Sequence, residues 1–345
     1  MIITHTLLPS QFCLQDLSAI TGRVCELRVN SHQAEADRAA RAWFNTIGLY
    51  DDRKKSKFLN YGKFDLFAAL SFPDADLKHL TTCIIFFFWA FSTDDLSDEG
   101  DLQSKPDAVQ AGHDISVDVV SSPNGPRPEY PYAAMFYDLL ARFRETSTPG
   151  AYKRFIRAFE AWSSSQVTQS RNRSQDRIPS VDEFILMRRA TIGGAMVEAI
   201  IEYSLDLDLP DEVFESPIIQ AMSDATNDLM TWPNDLCSFN KEQSDGDYQN
   251  LVFCIMNERS VGLQEAIDIL TEMLAQRVND YIALKNKLPS FGPDVDAELA
   301  RYLHALENFV QGTVLWYYLS PRYFRGVDVT NRENLVVPLF EPGAF

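Results

Sequence analysis

The sequence predicts an all-α, single-domain protein, and three observations carry that prediction. Apolar residues recur at helical spacing through several long stretches, strand signals are few, and the one long polar stretch separates segments that look alike. No Asn-Gly or Asp-Gly hairpin lies between alternating residues, and there is neither a Gly-rich phosphate loop nor an internal repeat.

Taken in order, residues 1–30 carry little periodicity and read as a poorly defined N-terminal segment. From Ser31, SHQAEADRAARAWFNTIGLY is an amphipathic helix, with Ala34, Ala39, Trp43 and Ile47 near helical spacing. Residues 76–93 form a second, largely buried helix. Between Gly100 and Tyr132, prolines at 106, 123, 126, 128 and 131 predict a surface loop. IPSVDEFILMRRATIGGAMVEAIIEY opens with a capping box, Ser180 with Glu183, and stays apolar at helical spacing to Tyr203. ESPIIQAMSDATNDLM starts a helix with Ser216 as N-cap and Pro217 at the first position. Two long amphipathic helices follow, in SVGLQEAIDILTEMLAQRVNDYIALKNKL and DAELARYLHALENFVQGTVLWYYLS. A helical catalytic region is thus expected over 31–325, with the tail 326–345 as a candidate lid.

Composition narrows the function. With 46% hydrophobic residues the chain can build a large core, and a net charge of −18 opposes nucleic acid and anionic lipid. The longest apolar run is about half of the ~20 residues a membrane span needs, so stable membrane insertion is not expected. Five scattered cysteines with no CxxC pair fit a reducing compartment, and MIITHTLLPSQF lacks the marks of a signal peptide. A cytoplasmic protein, monomer or homodimer, is the expectation.

The chemistry lies on two helices. In FFFWAFSTDDLSDEGD an apolar run leads straight into acids, and Asp94 and Asp98, four residues apart, share one helix face. Asp95 turns about 100° away and suits a basic partner. In NDLCSFNKEQSDGD, Asn234, Ser238 and Glu242 fall at i, i+4 and i+8 on one face. A carboxamide, a hydroxyl and carboxylates are hard oxygen donors suited to Mg2+, with Mn2+ as substitute, rather than to zinc. Lys241 adjoins Glu242 and supplies positive charge for an anion held by that cation. A rival register, Asn227, Thr231 and Asp235, has Pro233 inside it. Pro233 is expected to kink the helix or start it anew. Phe91 and Phe87, three and seven residues before Asp94, share the metal-facing side of the first helix.

The aspartate pair followed by N-D-L-x-S-x-x-K-E resembles the paired metal motifs of class I terpene synthases, in particular the single-domain microbial and fungal sesquiterpene synthases. The resemblance covers about residues 30 to 325. It implies a helical bundle around a central active-site cavity, and three Mg2+ ions that bind the diphosphate of a prenyl substrate. Farnesyl diphosphate is the expected substrate, ionised to a carbocation and cyclised to a sesquiterpene hydrocarbon or alcohol, with geranyl diphosphate the alternative. SPRYF resembles the family's Arg-Tyr pair, here Arg322 and Tyr323, and Arg188 lies 46 residues before Asn234, where the family carries its diphosphate-sensing arginine. Arg189 is its neighbour and rival. The linker and helix-break carbonyl that follow correspond to Thr191 and Ile192, with Gly193 a rival for the carbonyl. Phe67 and Trp316 join Phe87 and Phe91 as cavity aromatics. The resemblance leaves two other classes open. A chain-elongating prenyl diphosphate synthase would carry a second aspartate-rich motif, and a non-catalytic prenyl-lipid binder would show degraded motifs. None of the five histidines lies near a motif, so the released diphosphate or a carbonyl is left to take the final proton.

Overall fold

A computed structural model describes residues 8–24, 27–98, 105–173, 178–341 and 343. In chain order the elements are β1 (Gln11–Leu14), α1 (Leu17–Thr21), α2 (Gln33–Ile47), α3 (Asp52–Gly62), α4 (Phe64–Ser71) and α5 (Leu77–Asp98). Next come α6 (Pro106–Ser121), α7 (Pro131–Thr146), α8 (Pro149–Arg173), α9 (Val181–Thr191) and α10 (Gly194–Ser204). The chain ends with α11 (Asp211–Glu215), α12 (Pro217–Asp245), α13 (Leu251–Arg259), α14 (Leu263–Lys285), α15 (Pro293–Leu319) and β2 (Leu335–Pro338). The architecture is an all-α bundle with one two-stranded ribbon, and no described helix is long and apolar enough to cross a membrane.

Two helices organise the interior. α5 packs against α2, α4, α7 and α10, and α12 packs against α9, α13, α14 and α15. α5 starts where the Asp76 side chain accepts the His79 amide at 2.8 Å. From Leu80 to Trp89 it is buried on every side, which is why its sequence is apolar without a polar stripe. α15 is buried along most of its length and sits between α4 and α12.

Three expectations are corrected. The stretch between Gly100 and Tyr132 is not all loop, since α6 occupies Pro106–Ser121 and buries Val109 and Val119. Pro106 opens that helix, where its missing N–H costs nothing. The helix break expected at Ile192 or Gly193 does form, dividing the apolar segment that runs to Tyr203 into α9 and α10, with Gly193 at φ 82°. Gly194 then lets α12 approach, for a Cβ there would lie 1.5 Å from Asn227 Oδ1. Pro233 neither ends nor restarts its helix, because α12 runs unbroken across it. The Pro233 penalty, about 3 kcal/mol in a helix interior, is offset here by burial of this part of α12 in the core. Finally, the N-terminal segment carries defined elements, β1 and α1. β1 pairs antiparallel with β2 of the tail, Phe12 opposite Val337 and Leu14 opposite Leu335, and all four side chains are buried.

Candidate active site

α12 carries the better-defined half of the site. Asn234 is half-buried, and its Oδ1 accepts Arg188 Nη2 at 2.7 Å. One turn on, the Ser238 hydroxyl is buried without a hydrogen-bond partner among the described residues. An unmet hydroxyl of this kind costs about 1–3 kcal/mol, so it marks room for a ligand. Glu242 accepts Asn250 Nδ2 at 2.8 Å. Desolvation, then the charges of Asp247 and Asp235, push its carboxyl up to about 7. Asp235 points to another side, between Arg188 Nε at 3.3 Å and the Leu251 amide at 3.3 Å. Burial raises it to about 6 against the pull of Arg188.

The rival register is therefore dispersed: Asp235 faces the start of α13, and Asn227 lies against Gly194. Among the described residues no three His, Cys, Asp or Glu side chains group to hold a metal. A cation on α12 would use the carboxamide, hydroxyl and carboxylate of Asn234, Ser238 and Glu242. These hard oxygens, one of them buried and unpaired, fit Mg2+ or Mn2+.

On α5, Asp94 is exposed near the helix end, and Asp95 pairs with Arg322 Nη2 at 2.8 Å. The Asp98 backbone closes the helix, while its side chain lies outside the described residues. Arg322 also stands over the Phe91 ring, 5.2 Å from its centre. Next to it, the Tyr323 hydroxyl meets Asn234 Nδ2 at 3.4 Å. Burial raises the Tyr323 hydroxyl, Arg322 lowers it, and both Asp94 and Glu242 raise it further. Two consecutive residues thus join the two helices, one touching α5 and the other α12.

The adjacent arginines separate as helical geometry requires. Arg188 takes Asn234, whereas Arg189 clamps buried Asp228 at 2.8 and 2.7 Å and reaches Asp224 at 3.0 Å. Arg277 shares Asp228 at 2.8 Å. After the arginines, the Thr191 carbonyl accepts Trp162 Nε1 at 2.9 Å and Gln166 Nε2 at 2.8 Å. The Gly193 carbonyl accepts the Met196 and Val197 amides at the start of α10. The Ile192 carbonyl between them accepts no hydrogen bond from the described residues. Lys241 is half-buried on α12 beside Glu242.

Of the four aromatics, three are packed and one is open. Phe67 is sandwiched between Phe87 at 4.1 Å and Trp316 at 4.3 Å, both interplanar angles being 9°. Trp316 is fully buried and donates Nε1 to the Gly62 carbonyl at 2.7 Å. Phe91, half-buried, meets this stack edge-on and presents its face to Arg322. Asn250 is the site residue that sequence reasoning missed. It caps α13 through the Val252 amide, holds Glu242, and donates to the Asp235 carbonyl at 2.7 Å. Its signal was present, an Asn directly before the apolar run LVFCI.

Comparison with known proteins agrees with this fold. A family model described as terpene synthase family 2, C-terminal metal binding, matches residues 86–280. Sesquiterpene synthase 2 of Postia placenta is 30% identical over 339 residues, 98% of this chain and 97% of that protein. Sesquiterpene synthase Agr1 of Cyclocybe aegerita is 32% identical over 320 residues, covering 90% of this chain and 91% of the relative. Among solved structures, the SVS_A2 protein from ancestral sequence reconstruction superposes with a TM-score of 0.78 at 23% identity, over 91% and 90% of the two chains. α-Eudesmol synthase superposes at 0.76 with 19% identity, over 86% of this chain and 98% of its own. Both structures share the fold.

Proposed function

Because the chain belongs to the terpene synthase family, we propose that it ionises a prenyl diphosphate, with farnesyl diphosphate as the main substrate, and closes the carbocation to a sesquiterpene. The observation that carries this reading is the Arg322–Tyr323 pair, which touches the aspartate helix through Asp95 and the second motif through Asn234. A diphosphate between α5 and α12 would meet both of these donors. The names of the relatives, sesquiterpene synthases, support a fifteen-carbon chain.

Asp94 and Asp98 from one side and Asn234, Ser238 and Glu242 from the other would hold the divalent cations, three Mg2+ in this reading. When bound, those ions neutralise the diphosphate and make it a better leaving group. The protein's own part is orientation and water exclusion. Arg188, Lys241, Arg322 and Tyr323 donate to diphosphate oxygens, and each such charge-assisted bond strengthens as the allylic C–O bond breaks. Arg188 is held for that role by Asn234 and Asp235. The Phe91 face stabilises positive charge by ~0.5–2 kcal/mol, and its rings and neighbours keep water from quenching it.

The test is release of inorganic diphosphate from farnesyl diphosphate, with extraction of the organic products. Activity should vanish in EDTA and return with Mg2+. Full turnover in chelator would sink the assignment, and binding of substrate without diphosphate release would favour a carrier. Competing farnesyl and geranyl diphosphate at equal concentration decides the chain length, a geranyl preference overturning the fifteen-carbon substrate.

A further inference from the structure

The β1–β2 ribbon has two free edges, and each is closed by a carboxamide from a core helix. Gln264 of α14 accepts the Cys13 amide at 2.8 Å and donates to the Cys13 carbonyl at 3.0 Å. Asn240 of α12 donates to the Pro338 carbonyl at 2.8 Å and accepts the Phe340 amide at 2.7 Å. Each side chain satisfies the peptide groups of a strand as another strand would.

The two anchors differ in what else their helices carry. Asn240 is 1% exposed and lies midway between Ser238 and Glu242. Around it, Gln243 donates to the Phe340 carbonyl at 2.8 Å, the Gly343 amide donates to the Ser244 carbonyl at 2.8 Å, and Phe12 packs edge-on against Phe239 at 6.0 Å. At about 100° per residue, Asn240 falls on the side of α12 opposite Ser238 and Glu242, with Phe239 and Gln243 on the flank between. The ribbon therefore braces the back of the turn whose front holds the oxygen donors. A buried carboxamide is also an expensive choice where an apolar side chain would pack, unless its geometry matters.

We propose that Asn240 is a positioning residue: by fastening the terminal ribbon to the back of α12, it fixes where Ser238 and Glu242 present their oxygens. The tail is on this account a brace behind the metal motif rather than a lid over the cavity mouth. The proposal rests on the metal-binding reading of Asn234, Ser238 and Glu242.

The experiment compares Asn240→Ala with Gln264→Ala, which breaks the equivalent anchor on a helix without proposed ligands. Calorimetric titration of Mg2+ in the presence of inorganic diphosphate reads the site without turnover, and Tm reads the fold. Asn240→Ala should weaken Mg2+ binding about 10-fold, the scale seen when a residue behind a metal ligand is removed. Gln264→Ala should lower Tm and leave Mg2+ binding unchanged. If both lower Tm and neither alters Mg2+ binding, Asn240 is only structural and the proposal fails. Should Asn240→Ala not fold, Phe340→Pro removes the N–H partner from the tail side and leaves α12 untouched. Unchanged Mg2+ binding in Phe340→Pro overturns the proposal equally. A wild-type protein that binds no Mg2+ with diphosphate overturns the metal reading itself, a distinct result.

Discussion

The C-terminal end of α5 and the last third of α12 offer the same kind of oxygen donors in opposite surroundings. On α5 the acids come where the helix leaves the core, so Asp94 is exposed. On α12 the donors lie within a helix packed on five others, so Ser238 is buried and unpaired and Glu242 is pushed up to about 7. One arm is exposed and adaptable; the other is fixed and desolvated. The contrast teaches how two motifs alike in chemistry would divide the work under the proposed function. The α12 arm would set geometry, and the α5 arm would supply charge without cost to the fold. Arg322 and Tyr323, touching Asp95 and Asn234, couple them.

Breaking the fixed arm should have the largest effect. Glu242→Gln is expected to reduce kcat/KM by about 10³-fold or more, as when a preorganised electrostatic group is removed. Its Tm should not fall, because the variant removes a desolvated charge. Measured turnover near wild type would strip α12 of its proposed role, and loss of the fold would make Glu242 a structural residue.

On the adaptable arm, Asp94→Asn should cost about 10²-fold in kcat/KM, while an exposed position keeps stability within about 0.5 kcal/mol. Thermal denaturation beside steady-state kinetics checks both halves. A large drop in Tm would erase the contrast between the arms.

The smallest effect lies outside both arms and serves as their control. Burial pushes Glu198 on α10 up to about 7, against a hydrogen bond from Ser223 Oγ at 2.5 Å. The folded state therefore keeps this proton at pH values where the unfolded chain has released it. Stability from this group is present at low pH and declines as pH rises from the ordinary glutamate range through about 7. Glu198→Gln should flatten the fall in Tm between about pH 5 and about pH 8, with kcat at neutral pH unchanged. An equal slope in variant and wild type would show that Glu198 does not carry it.

What the sequence by itself determined was local. The i, i+4, i+8 spacing of Asn234, Ser238 and Glu242 needs only a helix, and α12 is one helix there. The capping box at Ser180 forms as read, since it spans three residues. α6 was hidden because its prolines mark both a loop and a helix start, and only packing on α8 separates the two. Tertiary structure alone decided the rest. Spacing favours Arg188 over its neighbour Arg189, but that one meets Asn234 and the other Asp228 follows from the docking of α9 on α12, which fixes which side faces the site. Phe67, Phe87 and Trp316 come from three helices, so no spacing foretells their stack. The ribbon pairs Gln11 with Pro338, and Asn240 then binds the backbone beside it. Helical periodicity is written within a few residues of chain, but contacts between distant segments exist only once the core between them has closed.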